Sequence, residues 1–170
     1  TWSPNHEVVR NAWDWGFNAI GTCNRVLSVL EKSEESDQKT QTLAEIKAMR
    51  AWYYFLMMDT FGNIPLVTVF GADTSLPSTA PRAEVFNFIV SELEVHLDKS
   101  SEDKSQATYG RPTKWFAHAL LAKVYLNAQV YTGTPNWNKV VENTNAVINS
   151  GKYSLENDFL AQFKADNGAD

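Results

Sequence analysis

Cysteine is almost absent: Cys23 stands alone in 170 residues, which excludes an intrachain disulfide and a thiolate metal cluster. It lies inside a helical pattern with no base near it in sequence, so it has no means of becoming a nucleophile. Histidine is scarce too. Of His6, His96 and His118, only His96 has a carboxylate one helical turn away, Glu92, and no third ligand follows, so neither a metal site nor any other cofactor is expected. There is no glycine-rich phosphate loop and no G-x-S-x-G turn. No apolar run approaches the roughly 20 residues of a membrane span. The 15 Lys and Arg residues are outnumbered by 20 Asp and Glu, giving a net charge of -5 and a pI near 5.2. They are scattered and form no stripe that could follow a phosphate backbone, which excludes nucleic acid as a partner. A basic-apolar-small leader pattern is missing after Thr1, and the sequence stops in a polar tail at Asp170, as expected of a piece of a longer chain.

What is present is a globular composition, 44% hydrophobic and 21% charged. A chain of this size buries roughly 70% of its unfolded surface, and one domain over residues 1–170 is expected. Helical periodicity dominates. Trp13, Phe17, Ile20, Leu27 and Leu30, interrupted by Asn24, mark a first helix over residues 7–32. A second stripe, Ala12, Trp15, Ala19, Cys23 and Val26, lies about 200° around it, so both faces are expected to be covered.

Charged residues 31–39 break the pattern, and Ser36 or Asp37 caps a second helix with apolar positions Leu43, Ile46, Met49, Tyr53 and Leu56, stopped by Gly62. Pro65 gives residues 64–70 extended character, and turn residues continue to Pro81 in a long connection with room for a short strand. A third helix buries Phe86, Ile89, Leu93 and Leu97. A polar connection over residues 99–111 follows, then a fourth helix capped by Thr113 with Ala117, Leu120, Leu121, Val124 and Ala128 inward. Pro135 fits the first position of a fifth helix over residues 136–150. Its apolar residues are Trp137, Val140, Val141, Val147 and Ile148; Gly151 ends it, and the partner of this helix is expected to be missing or to lie beyond the chain's end.

An offset of 71 residues aligns Phe17 with Phe88, Ala51 with Ala122, Tyr54 with Tyr125, Phe55 with Leu126 and Gly62 with Gly133. Together these features predict an all-α fold, an irregular tetratricopeptide-like array of antiparallel helical hairpins with about five main helices and long connecting loops.

Few residues suggest chemistry. A glycosidase needs two carboxylates roughly 5 to 9.5 Å apart, and Asp14, Glu45 and Asp59 are the acids nearest aromatic clusters; ion-paired or solvated acids are the simpler reading, and no catalytic residue is assigned. Of six tryptophans, Trp13, Trp52 and Trp137 fall on faces that read as core. Trp2, Trp15 and Trp115 lie near helix starts or on a second face, where packing and ligand contact compete. Glu45 and Arg50 are spaced to reach different neighbouring helices, with Arg50 a partly buried clamp between helices.

Several strings in order resemble the SusD/RagB family of surface glycan-binding lipoproteins. They are Asn24-Arg25-Val26-Leu27, Glu45 with Lys47-Ala48-Met49-Arg50-Ala51-Trp52-Tyr53-Tyr54-Phe55, and Phe61-Gly62-Asn63-Ile64-Pro65-Leu66. Pro81-Arg82, Gly110-Arg111-Pro112-Thr113 and Ala119-Leu120-Leu121-Ala122-Lys123-Val124-Tyr125-Leu126 follow. Trp137, Val147-Ile148-Asn149-Ser150-Gly151-Lys152-Tyr153-Ser154-Leu155 and Phe163 complete the set. The likeness runs from Trp2 to Phe163. It implies a fragment from the N-terminal half of such a protein, with no catalytic role. The parent protein is then exposed at the cell outer membrane, held by a lipid anchor that Cys23 cannot provide. The implied partners are an oligosaccharide or polysaccharide and a TonB-dependent, SusC-like transporter, over whose barrel the family member acts as a lid. The resemblance transfers no glycan-contacting residue by position. The alternative is a protein-protein adaptor of tetratricopeptide type. The long connections at residues 63–80 and 99–111 favour glycan binding, because loops on a rigid scaffold are where binding is usually built.

Overall fold

Side-chain caps start three of the six α-helices among the described residues. Ser36 accepts a hydrogen bond from the Lys39 backbone N–H at 3.0 Å, and Thr113 accepts from that of Phe116 at 3.3 Å, each satisfying an amide that a helix N-terminus leaves without a partner. The computed structural model describes residues 6–71 and 76–165. These form α1 (Glu7–Leu30), α2 (Asp37–Phe61), α3 (Arg82–His96), α4 (Lys114–Leu126), α5 (Ala128–Thr132) and α6 (Trp137–Asn149). The only strands among the described residues are β1 (Ile64–Pro65) and β2 (Thr79–Ala80), paired antiparallel with Ile64 opposite Ala80. The all-α, tetratricopeptide-like architecture read from the periodicity is therefore the one observed.

The helices stack as a chain of neighbours: α1 lies along α2, α2 along α3, and α4 along α6. Buried Lys39 ties down the α1–α2 turn by donating to the carbonyls of Glu31 and Ser33 and to the carboxylate of Glu35, at 3.3, 2.8 and 2.6 Å. It thereby places a cation at the negative end of α1. The 71-residue repeat has a structural counterpart: Gly62 and Gly133 end α2 and α5 with φ of +83° and +81°, a conformation costly for residues with a Cβ.

Several details differ from the sequence reading. The single long α2 corresponds to a helix broken at Asn127, giving the extra helix α5; the Asn127 side chain donates to the Lys123 carbonyl at 3.4 Å, the local competition with helix geometry to which Asn is prone. On α2 the expected stripe of Leu43, Ile46, Met49, Tyr53 and Leu56 is only half-buried. The deepest residues are instead Ala44, Ala51, Tyr54, Phe55, Met57 and Met58, because neighbours on two sides cover a wider arc than one stripe. On α1 the second stripe is covered only in part: Ala12 and Trp15 are exposed, Ala19 and Val26 half-buried and Cys23 buried, since the helix packs mainly along α2, with Gly16 set against Met57. Pro135 precedes the N-cap residue Asn136 rather than opening α6, because Asn136 keeps a non-helical backbone.

The core collects Ile20, Tyr54, Met57, Met58, Ile64, Val85, Ile89, Leu93, Leu121 and Val124. Trp13 packs against it, with ring centroids 4.6 Å from Phe17 and 5.1 Å from Phe61. Trp52, expected in the core, is half-buried against it, and Trp137 is not core. It is 50% exposed, and with Val141 and Ile148 forms an outward apolar face on α6, where Asn143 is the one buried residue.

Candidate functional site

The connection after α2 is fixed by a buried polar clamp. The Arg50 guanidinium donates through Nε and Nη2 to both oxygens of Glu92 on α3, at 2.7 and 2.8 Å. Its Nη1 reaches Asn24 Oδ1 on α1 at 2.8 Å and the Thr68 carbonyl at 2.9 Å. Asn24 in turn donates to the Val67 carbonyl at 2.8 Å, and the Tyr54 hydroxyl donates to the same oxygen at 2.7 Å while accepting from the Val67 N–H. Asn24, Arg50 and Glu92 are each less than a tenth exposed, and among the described residues no buried side-chain polar atom lacks a partner. Arg50 is thus the inter-helix clamp that its spacing suggested, more deeply buried than expected. Burial pushes the Tyr54 phenol up to about 12 and raises the Cys23 thiol above its usual range. That leaves Cys23 protonated and unreactive.

A second clamp builds a cleft. Buried Glu45 on α2 accepts from Arg111 Nε and Nη2, at 3.1 and 2.7 Å, and from Gln41 at 3.2 Å. This pins the connection between α3 and α4 against the array. Within that connection Ser105 caps the short 3-10 turn Gln106–Thr108, and Thr108 bonds back to the Ser105 N–H. The Lys114 N–H donates to the Ser101 carbonyl at 2.8 Å and the Trp115 indole to that of Glu102 at 3.0 Å.

Between this connection and the scaffold lies an open cleft of about 690 Å³, within the usual size of ligand sites. It is lined by Lys104, Tyr109 and Arg111 of the connection, by Trp115, Phe116 and Ala119 of α4, and by Val147 and Tyr153. Its aromatic lining continues outward across the array. Phe116 meets Trp52 at 6.5 Å between centroids, Trp52 meets Tyr53 at 5.0 Å, and Tyr53 meets exposed Trp15 at 5.3 Å. Four helix-borne rings therefore form a belt from α1 to the cleft.

The residues weighed from sequence fall as follows. Trp115 lines the cleft, its ring stacked beside His118; Trp15 ends the belt; Trp2 lies outside the described residues. The three acids are not brought together. Glu45 is tied to Arg111, and Asp59, fourteen residues along the same helix and thus about 21 Å away, accepts from the Tyr131 hydroxyl at 2.7 Å. Asp14 is exposed and turned about 200° from Gly16, the residue that faces α2. The histidines serve structure: His118 bonds Asn143 of α6 at 2.9 Å, and His96 lies between Lys47 Nζ at 3.0 Å and the Glu92 carbonyl at 2.9 Å. Among the described residues no three of His, Cys, Asp or Glu gather as metal ligands, and no helix is long and apolar enough to cross a membrane. Sequence reasoning assigned no role to Lys104, Tyr109 or Tyr153; the length of the 99–111 connection pointed to the first two, and Tyr153 stood only within a family-like string.

Comparison with known proteins agrees with this architecture. Over 170 residues the chain is 32% identical to the starch-binding protein SusD of Bacteroides thetaiotaomicron, covering 98% of this chain and 29% of that protein. A crystal structure with xylogluco-oligosaccharide superimposes with a TM-score of 0.87 at 26% identity, over 98% of this chain and 35% of that one. A laminarin-binding SusD-like protein gives 0.72 at 26% identity, over 81% and 29%. The chain thus spans about a third of the length of these proteins. Residues 1–126 match the family described as starch-binding and associating with the outer membrane, so the chain belongs to the SusD-like family.

Proposed function

We propose that this chain is part of the helical scaffold of a non-catalytic glycan-binding protein, which captures oligosaccharide or polysaccharide and delivers it to a TonB-dependent, SusC-like transporter. The parent protein is exposed at the outer membrane through a lipid anchor outside this chain. The observation that carries the reading is the aromatic-lined cleft on a rigid helical frame, whose lining among the described residues includes no acid. Such a site can hold a saccharide by stacking ring faces on aromatic side chains and by hydrogen bonding, but it lacks the carboxylate pair that glycoside hydrolysis uses. The names of the relatives support the ligand class. Affinity electrophoresis in gels cast with starch, laminarin or xyloglucan, followed by chromatography of the recovered glycan, tests it. Retarded migration with unshortened glycan is expected; free migration in every gel, or shortened chains, contradicts it. Delivery and anchoring are tested by isolating the native protein from membranes, where a lipidated N-terminal cysteine and a co-purifying barrel transporter are expected.

The outward face of α6, with Trp137, Val141 and Ile148 exposed, favours a second reading as a protein-protein adaptor. That reading predicts peptide or protein capture with no response to sugar.

A further inference from the structure

The cleft between the 99–113 connection and α4 has a charge pattern unlike the rest of the chain. Two cations line it, Lys104 and Arg111, and no acid does, in a protein of net charge -5. The acids nearest in sequence already have partners: Glu102 is held by Lys114 at 2.8 Å, and Asp103 accepts from Ser105 Oγ at 2.6 Å. Arg111 is prearranged. Buried Glu45 grips Nε and Nη2, while Nη1 makes no hydrogen bond among the described residues and the side chain stays 39% exposed. The Lys104 ammonium sits 5.3 Å from the centre of the Tyr153 ring and forms no ion pair among the described residues. A guanidinium edge and an ammonium, beside rings from Tyr109, Trp115 and Tyr153, match a ligand with apolar sugar faces and an anionic substituent.

We infer that this cleft is a subsite for an acidic saccharide, a sugar unit bearing carboxylate or sulfate. The inference rests on the glycan-binding reading and narrows it. The aromatic rings hold the pyranose face, Arg111 donates from its free edge, and Lys104 supplies the unpaired charge.

Titration calorimetry on the chain separates the two ideas, using an oligogalacturonate, its fully methyl-esterified form, a sulfated galactan oligosaccharide and a glutamate-rich peptide. The free acid or the sulfated sugar is expected to bind about two- to fivefold tighter than the ester, the scale of one exposed ion pair. Whichever anion binds tighter identifies the substituent. Lys104→Gln, on an exposed side chain that leaves the fold intact, should remove that preference, and so should high salt. Tyr109→Ala should weaken all the sugars roughly tenfold or more. Equal affinity for acid and ester, or an acid preference that survives Lys104→Gln, overturns the charge selection while leaving glycan binding intact. Binding of the peptide with none of the sugars overturns both.

Discussion

Replacing Arg50 by alanine removes the one side chain that bonds α1, α3 and the connection after α2 together. Four hydrogen bonds go, two to Glu92 and one each to Asn24 and the Thr68 carbonyl. The larger loss lies in what remains: the Glu92 carboxylate, 8% exposed, keeps its desolvation cost without its counter-ion. Breaking a buried pair from one side costs about 3–5 kcal/mol. For a chain of this size, where 1 kcal/mol moves the melting temperature by about 2–4 °C, the drop is on the order of 10 °C. Arg50→Lys should fall between, because an ammonium keeps the charge but not the planar fork. Changing both partners, Arg50→Met with Glu92→Met, should recover much of the loss by leaving no uncompensated charge. Thermal and urea unfolding of these proteins, completed by the Arg50→Met and Glu92→Met single variants as a double-mutant cycle, measures the coupling directly. An Arg50→Ala protein melting within about 1 °C of the parent would refute the clamp.

Other expectations follow from packing and titration. Gly16→Ala drives a methyl into the Met57 side chain and should cost about 1–3 kcal/mol, whereas Gly21→Ala, with nothing within 4 Å, should stabilise α1 by up to about 1 kcal/mol in the same unfolding assay. His96 is held neutral, its pKa lowered from 6.5 by burial and by Lys47, against the opposing pull of the Glu92 carbonyl. The unfolded chain therefore takes up that proton first as pH falls, so the contribution of His96 is complete above pH 6.5 and declines below it. His96→Gln should flatten stability between about pH 7 and 5 relative to the parent, and identical pH profiles would contradict the assignment.

The frame was readable because its signals are local. Ser36, Gly62, Thr113 and Gly151 act on backbone groups a few residues away, and the inward stripe of α4 repeats at helical spacing. The Arg50 clamp was readable in part: a cation amid apolar helical residues must find a partner, but its partner Glu92 lies 42 residues away. The cleft was not. Glu45 and Arg111 meet across 66 residues, and Tyr153 reaches the wall only because α6 folds back along α4. Trp137 misled because an apolar stripe reports that a face seeks cover, whereas on α6 the covering element is absent from the described residues. Asn127 broke a helix that the repeat predicted to be continuous, since a single residue's competition for the backbone leaves no periodic trace.

The most direct test of the account is to map bound saccharide by backbone and indole amide chemical shifts. The Trp115 indole N–H, hydrogen-bonded to the Glu102 carbonyl, and the amides of residues 104–111 should shift saturably as oligosaccharide is added, with the sugar's own spectrum showing no new reducing end over long incubation. Shifts confined to the outer face of α6, or no shifts with any glycan, would contradict the claim that this scaffold carries a sugar-binding cleft.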